Sequence, residues 1–196
     1  MRVAVTGTPG TGKTTATAAL VDRFDANVEA DTSTSAVTVD GKETVDELTA
    51  DDICHLNDLI ESESLYTDVD EDRDSVIADM DALESVVDDR APVVVDSHLA
   101  HHLPADRVVV LRCEPNELAR RLRERGEAAE KAHENAESEA LDVILAEAVE
   151  SHGLESVYEI DTTERTPDDV ADRIVDVLTG EREPSAGTVD FVGYLQ

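Results

Sequence analysis

Gly7-Thr8-Pro9-Gly10-Thr11-Gly12-Lys13-Thr14 decides how this chain is read. The octet fits G-x-x-x-x-G-K-[ST], with Gly7 and Gly12 in the glycine slots and Lys13 and Thr14 closing it. Its flanks agree. Arg2-Val3-Ala4-Val5-Thr6 is a short β-branched run with the pattern of a buried strand. Downstream, Ala16, Leu20 and Phe24 recur at helical spacing and share one face. A strand, a glycine loop and a helix N-terminus let successive backbone N–H groups wrap a polyphosphate. In that geometry Lys13 reaches the β- and γ-phosphates and the Thr14 hydroxyl ligates Mg²⁺. The pattern implies binding of a nucleoside triphosphate.

Composition bounds the rest. The chain has 196 residues, enough for one domain with an insertion. Aromatics are only 3%, so small aliphatics must fill the core. The net charge of -31 comes from 47 Asp+Glu against 16 Lys+Arg, and only Lys13, Lys42 and Lys131 are lysines. A disordered acidic chain is one reading of such numbers, but 40% hydrophobic residues with helix and strand periodicity argue against it. Adaptation to molar salt is the physical alternative: at about 3 Å Debye length, crowded carboxylates stop repelling one another. A salt-accumulating, halophilic source is therefore expected. The acidity argues against a direct nucleic-acid footprint. Neither a secretory signal nor a membrane-length apolar run is present. Cys54 and Cys113 lie far apart without metal spacing, so a cytoplasmic, reducing location is expected.

Along the chain, residues 28–50 read as an acidic surface insertion with one alternating stretch, Ala36-Val37-Thr38-Val39. Ile53-Cys54-His55-Leu56 reads as a core strand, and Asn57 as the cap of a helix through Leu65. A polar stretch from Tyr66 to Asp74 precedes an expected helix carrying Val76, Met80, Leu83 and Val87. Pro92-Val93-Val94-Val95-Asp96 and Arg107 to Arg112 have the near-continuous valine runs of parallel strands covered on both faces. Pro115 opens a helix with Leu118 and Leu122 inward. A polar stretch, Arg123 to Asn135, leads to a helix reaching about Glu150 with Leu141, Ile144, Leu145 and Ala148 inward. Val157 to Ile160 is a last strand, and Thr166-Pro167-Asp168-Asp169 caps a final helix. The tail from Gly180 to Gln196 either docks in a groove or is a free end. Strands alternating with helices predict an α/β three-layer domain with a mostly parallel sheet over residues 1–180. Ligands in such sheets sit at the carboxyl ends of strands, where the phosphate loop, Asp96 and Arg112 should converge.

Asp96 ends its valine strand in the form of a Walker B carboxylate, placed to hold Mg²⁺ directly or through water. His98 follows two residues on and could orient the attacking group or touch the γ-phosphate. His101 and His102 complete a histidine trio that lacks an acidic or cysteine ligand at matching spacing, so they read as loop residues rather than a metal site. Arg120, Arg121, Arg123 and Arg125 cluster in an acidic background. Arg125 is assigned to the transferring phosphoryl group, and Arg120 and Arg121 to pairing with Glu117 and Glu124; Arg123 stays open. Gly126 lets the chain leave the helix into a lid that excludes water.

These residues together resemble the adenylate-kinase-like ATPases of archaea and the eukaryotic nucleus, relatives of the coilin-interacting nuclear ATPase. The resemblance rests on Gly7 to Thr15, on Asp96-Ser97-His98 as the family's Asp-x-His Walker B variant, and on Arg125-Gly126. Lys131, Glu134-Asn135 and Glu139 continue it. It implies a P-loop nucleoside-monophosphate-kinase fold with a five-stranded sheet, a monophosphate-binding arm over about 56–80 and a lid over about 124–134. It further implies broad nucleoside monophosphate kinase activity beside ATP hydrolysis, with ATP and Mg²⁺ as cofactors. The family's ATPase serves late small-subunit ribosome maturation through transient binding of a ribosomal protein of the S-eleven family. Glu127 replaces the aromatic usual after the lid Arg-Gly, and the acidic stretch before Asp51 has no counterpart.

The site expected is therefore Gly10, Gly12, Lys13, Thr14 and Thr15 on the donor phosphates, Thr14 and Asp96 on Mg²⁺, and Lys13, Asp96, His98 and Arg125 in catalysis. Arg73 is assigned to the acceptor phosphate, as the basic residue of its acidic stretch. An assembly factor with incidental kinase turnover is the alternative from another class. A sugar or shikimate-like kinase is a third reading.

Overall fold

The computed structural model describes residues 1–30, 48–70 and 75–196, and the side chains of all of these except 23–30, 70 and 75. Arg73, Phe24 and most of the 28–50 stretch thus lie outside the described side chains. Five strands form one sheet: β1 (Val3–Thr6), β2 (Ile53–His55), β5 (Val94–Asp96), β6 (Arg107–Arg112) and β7 (Val157–Asp161). Their spatial order is β2-β5-β1-β6-β7, and every pairing is parallel. The remaining strands, β3 (Tyr66–Asp70) and β4 (Ser75–Ala78), pair antiparallel beside it. Seven α-helices accompany them among the described residues: α1 (Lys13–Ala30), α2 (Leu56–Glu63), α3 (Met80–Arg90), α4 (Pro115–Glu124), α5 (Ala129–Ala140), α6 (Val143–His152) and α7 (Pro167–Thr179).

Side-chain alternation builds the three layers. Val3, Val5, Val94, Val109 and Leu111 point to one face and meet α1 and α7 through Leu20, Ile174 and Leu178. Ala4, Val95, Val108 and Val110 point to the other and meet α2, α3 and α6 through Leu59, Leu83, Leu145 and Ala148. Both faces are covered, which is why these strands read as unbroken apolar runs. β1 is central, with β5 on one side and β6 on the other. Chain order reverses there, so a crevice opens at the carboxyl end of β1.

Three local expectations are corrected. Val76 does not begin a helix: it pairs with Val69 in the β3–β4 hairpin and is 41% exposed. Asp79 starts α3 instead, in extended conformation with its carboxylate accepting the Ala82 N–H at 3.1 Å. Helix α2 begins one residue before Asn57, with His55 as its N-cap, and ends at Glu63 because Ser64 turns left-handed at φ 55°. The polar run after Arg123 becomes helical early. The buried face of α5 consists of Ala132, Ala136 and Ala140 with Glu139, residues too small or too polar to register as an apolar stripe. Leu141 is 60% exposed rather than inward, and Asp142 at φ 55° breaks the chain between α5 and α6.

The tail docks. Thr188 N–H donates to Glu159 Oε2 at 2.6 Å, Phe191 lies 5.5 Å from the Arg112 guanidinium, and Tyr194 Oη sits 3.1 Å from His133 Nδ1 of α5. At the other junction the sequence signals hold. Thr166 and Asp169 form a reciprocal capping box on α7, and Gly180 closes that helix at φ 78°.

Candidate nucleotide site

The phosphate loop takes its shape from two glycines in particular. Gly7 adopts φ 140°, and a Cβ there would lie 2.4 Å from the Leu111 carbonyl oxygen, so β1 and β6 can approach only around glycine. Gly12 adopts φ 95° with open space where a side chain would stand, leaving the backbone of the loop accessible just before α1 begins. The Lys13 ammonium is half-buried and donates back to the carbonyls of Gly7 at 2.7 Å and Thr8 at 3.1 Å. Burial pulls its pKa down to about 8, with Arg125 adding repulsion, against the opposing pull of Asp96 and Glu139. A bound polyphosphate would replace those two carbonyls with stronger acceptors. Thr14 and Thr15 stand exposed on the first turn of α1.

Asp96 sits behind the loop, 3% exposed, at the end of β5 where the register sets it beside Val5 and His55. Thr17 Oγ1 donates to its Oδ2 at 2.5 Å, and His55 Nδ1 lies 2.9 Å from Oδ1. That hydrogen bond raises the His55 pKa against the opposing effect of burial. A carboxylate anchored on both oxygens is orientationally fixed. An oxygen-only set, the hydroxyl of exposed Thr14 and buried Asp96, suits Mg²⁺, which favours oxygen and keeps much of its water. With both oxygens already engaged, Asp96 is suited to accept from the hydration shell of such an ion.

His98 follows at the lip of the site. The surrounding protein strips much of its hydration and Lys13, His101 and His102 repel a second positive charge, so its pKa is lowered even though its outer edge is open to solvent. A neutral imidazole beside a cationic lysine can accept as well as donate a hydrogen bond. Ser97 between the two ties this turn to α2, donating to Asn57 Oδ1 at 2.8 Å.

On the far side of the loop a cleft is lined by Gly10, Gly12, Thr15, Arg121, Arg125 and Arg165, with Thr162 and Pro167 beneath. Arg125 is exposed at the C-terminus of α4, with Gly126 turning away at φ 94°. Arg120 pairs with Glu117 and Glu124 on the solvent face, as expected. Arg121 does two things: it bonds Glu117, and it donates to the carbonyls of Thr162 at 3.0 Å and Thr163 at 2.9 Å while lining the cleft. Arg123 is settled as a local contact, donating to the Ala119 carbonyl at 3.0 Å.

Arg112 does not converge on this site, contrary to the sequence reading. It is 1% exposed and bonds Glu139 at 2.7 Å, together with Glu159 and Asp142. Its guanidinium is consumed by carboxylates. Its contribution is indirect, because Glu139 also accepts from Thr8 Oγ1 of the phosphate loop at 2.5 Å. Both cysteines are free and buried.

Four residues of the site were not singled out from sequence: Thr17, His55, Thr162 and Arg165. Thr17 carried a usable signal, lying one helical turn after Lys13 and so on the same face. His55 could have been paired with Asp96 only by knowing that β2 adjoins β5.

Comparison with known proteins bears on the whole of this arrangement. A family model described as an AAA domain matches residues 3–142, more than half of the chain. A Natronomonas pharaonis protein named "Putative adenylate kinase" is 52% identical over 195 residues, covering 100% of both chains. A Halobacterium salinarum protein of the same name is 54% identical over 196 residues, again covering 100% of each. A third of that name, from Methanocaldococcus jannaschii, is 35% identical over 195 residues, covering 97% of this chain and 93% of its own. The chain belongs to this adenylate-kinase-like family. For a family member the five-stranded parallel sheet and the phosphate loop at its switch point are the expected frame. Among the described residues no helix is long and apolar enough to cross a membrane.

Proposed function

We propose that this adenylate-kinase-like protein transfers the γ-phosphoryl group of ATP to a nucleoside monophosphate in a Mg²⁺-dependent reaction. The observation that carries the reading is the pairing across one loop: exposed Thr14 and anchored Asp96 on one side, Arg121, Arg125 and Arg165 on the other. Family membership supports nucleotide kinase chemistry in general.

In this mechanism the loop amides and Lys13 hold the β- and γ-phosphates, and Thr14 and Thr15 close the helix end of the cradle. Mg²⁺ would supply charge neutralisation at the phosphates. Thr14 and Asp96 would hold it, Asp96 being kept in orientation by Thr17 and His55. Arg125 comes over the transferring group as residues 124–134 close like a lid, excluding water. His98 orients the attacking phosphate oxygen from the lip. The arm formed by residues 56–80 receives the monophosphate, with Arg73 on its phosphate.

The test is ADP formation from ATP with and without AMP, CMP, GMP or UMP, for wild type and Arg125→Ala. Arg125 is exposed, so its loss should spare the fold while lowering turnover by roughly 10³-fold, the scale of a guanidinium over a transferring phosphoryl group. Unchanged AMP turnover in Arg125→Ala would overturn the assignment.

A second reading makes ATP hydrolysis the physiological activity, releasing a small-subunit ribosomal protein of the S-eleven family during ribosome maturation. A net charge of -31 and the exposed apolar residues Val69, Val76 and Ile77 of the hairpin favour a basic, partly apolar partner. Adding that ribosomal protein to the same assay separates the readings: hydrolysis stimulated without any monophosphate favours the second, and acceptor-dependent ADP formation the first.

A further inference from the structure

The turn after β5 carries a second cluster that the nucleotide chemistry does not use. His101 is 1% exposed, between the end of β1 and α6. Its Nδ1 lies 2.9 Å from Thr6 Oγ1, and its Nε2 lies 3.1 Å from Glu147 Oε2. The ring of His102 is tilted against it at 4.0 Å between centroids. One ligand atom from each of His101, His102 and Glu147 lies within 4.8 Å of the others. His152 donates from Nε2 to the His101 carbonyl at 2.8 Å, which pins this backbone.

We infer that His101, His102 and Glu147 form a binding site for a transition-metal dication of the Zn²⁺ class, separate from the Mg²⁺ that accompanies ATP. Two nitrogens and one carboxylate oxygen are a donor set that suits zinc and disfavours magnesium. Three protein ligands leave a fourth position for water. The acidic ligand missing beside the histidine trio in sequence is supplied by α6, from a residue far along the chain.

The hydrogen bonding orients the buried imidazole as metal-binding histidines are oriented. When the Thr6 hydroxyl proton points to the His98 carbonyl, 3.4 Å away, His101 Nδ1–H donates to Thr6 and Nε2 presents its lone pair to the Glu147 carboxylate. Two electron-rich atoms then lie 3.1 Å apart, a separation that two ligands of one zinc ion can keep. In the metal-free form a proton on Nε2 lies between them. Access is open: His102 is exposed and the Glu147 side chain is 46% exposed. His101 Nε2 and Glu147 Oε2 already stand 3.1 Å apart, and His102 and Glu147 are the accessible side chains that would adjust around an ion.

The test uses untagged full-length protein, stripped with a chelator and shown to be folded by circular dichroism. ZnCl₂ is titrated in competition with a chromophoric chelator, in the presence of excess MgCl₂ and ATP. The expected result is one equivalent of zinc that magnesium does not displace, with Co²⁺ giving a visible absorption band of low-coordinate geometry. His102→Ala and Glu147→Gln, both at accessible side chains that spare the core, should each weaken zinc binding by at least about tenfold. His133→Ala, an exposed histidine on α5, should leave it unchanged. Folded wild-type protein that takes up no zinc overturns the inference. So does zinc retained at full affinity in both variants, which would place the metal elsewhere, for instance at His55 and Asp96. ATP turnover is a separate readout, so failure here leaves the kinase reading standing.

Discussion

Thr17 is one of two residues that anchor the Asp96 carboxylate, and replacing it with valine isolates one hydrogen bond. The side chain is fully buried, and valine matches its shape without the hydroxyl. The single hydroxyl proton has three acceptors in reach: Asp96 Oδ2 at 2.5 Å, the Lys13 carbonyl at 3.1 Å and the Thr14 carbonyl at 3.2 Å. The carboxylate is nearest and is the charged one, so it receives the proton. A hydrogen bond to a charged group contributes about 1.5–3 kcal/mol, and the buried carboxylate oxygen is left without that donor. Taking about 2 kcal/mol and about 2–4 °C per kcal/mol for a domain of this size, Thr17→Val should melt about 4–8 °C below wild type. Thr17→Ser is the control: it keeps the donor and loses one methyl, costing about 1 kcal/mol. Calorimetry ranks the three proteins, and the coupled ADP assay should show phosphoryl transfer reduced on the order of tenfold in the valine variant and largely kept in the serine variant. If valine proves as stable as threonine while serine is the more damaged, the methyl rather than the hydroxyl matters at this position, and the view of Asp96 as an anchored carboxylate is wrong.

The Lys13 pKa, lowered from 10.5 to about 8, has a definite sign. Across that window the unfolded chain holds a proton that the folded chain has released, so stability should rise with pH there and be indifferent to Lys13 below it. Urea midpoints at the two ends of the window should diverge between wild type and Lys13→Met; parallel behaviour would refute the shift. Truncation after Ser185 removes the Thr188 and Val189 N–H donors from Glu159, which is 1% exposed, and should cost about 2–4 kcal/mol, read as a lower denaturant midpoint. Transfer from molar KCl to dilute buffer should lower the melting temperature of a chain carrying -31 charges, and a melting temperature indifferent to salt would remove the case for halophilic adaptation.

The central strands and the phosphate loop were legible because each carries a local signature: valine runs, glycine spacing, a lysine and a threonine at a helix start. The α7 capping box was legible for the same reason. What sequence could not display was pairing between distant segments. Arg112 at a strand end looks like Asp96 at a strand end, yet one is enclosed by Glu139, Asp142 and Glu159 and the other faces the loop. Helix α5 hid because alanine fills its buried face, and Val76 misled because spacings of 4, 3 and 4 to Val87 mimic a helix that Asp79 starts four residues after β4 opens.

The site is built unequally, and the chain's charge explains why that matters. Asp96, Thr17, Thr8 and Glu139 are held in buried hydrogen bonds, whereas Arg125 and Arg165 stand exposed. The proposed phosphoryl transfer would depend on electrostatics fixed before reaction, so the locked side would supply the reference frame and the exposed guanidinium side would be the one to adjust. A nucleotide polyphosphate is an anion approaching a protein of net charge -31, so in dilute buffer the long-range field opposes its arrival. Concentrated salt shortens that field to about 3 Å, removing the repulsion of distant carboxylates while leaving direct arginine–phosphate contacts in place. For this molecule salt should therefore speed nucleotide association rather than slow it. The clustering of Arg121, Arg125 and Arg165 around one cleft is then the local attraction that remains once the acidic surface has been screened.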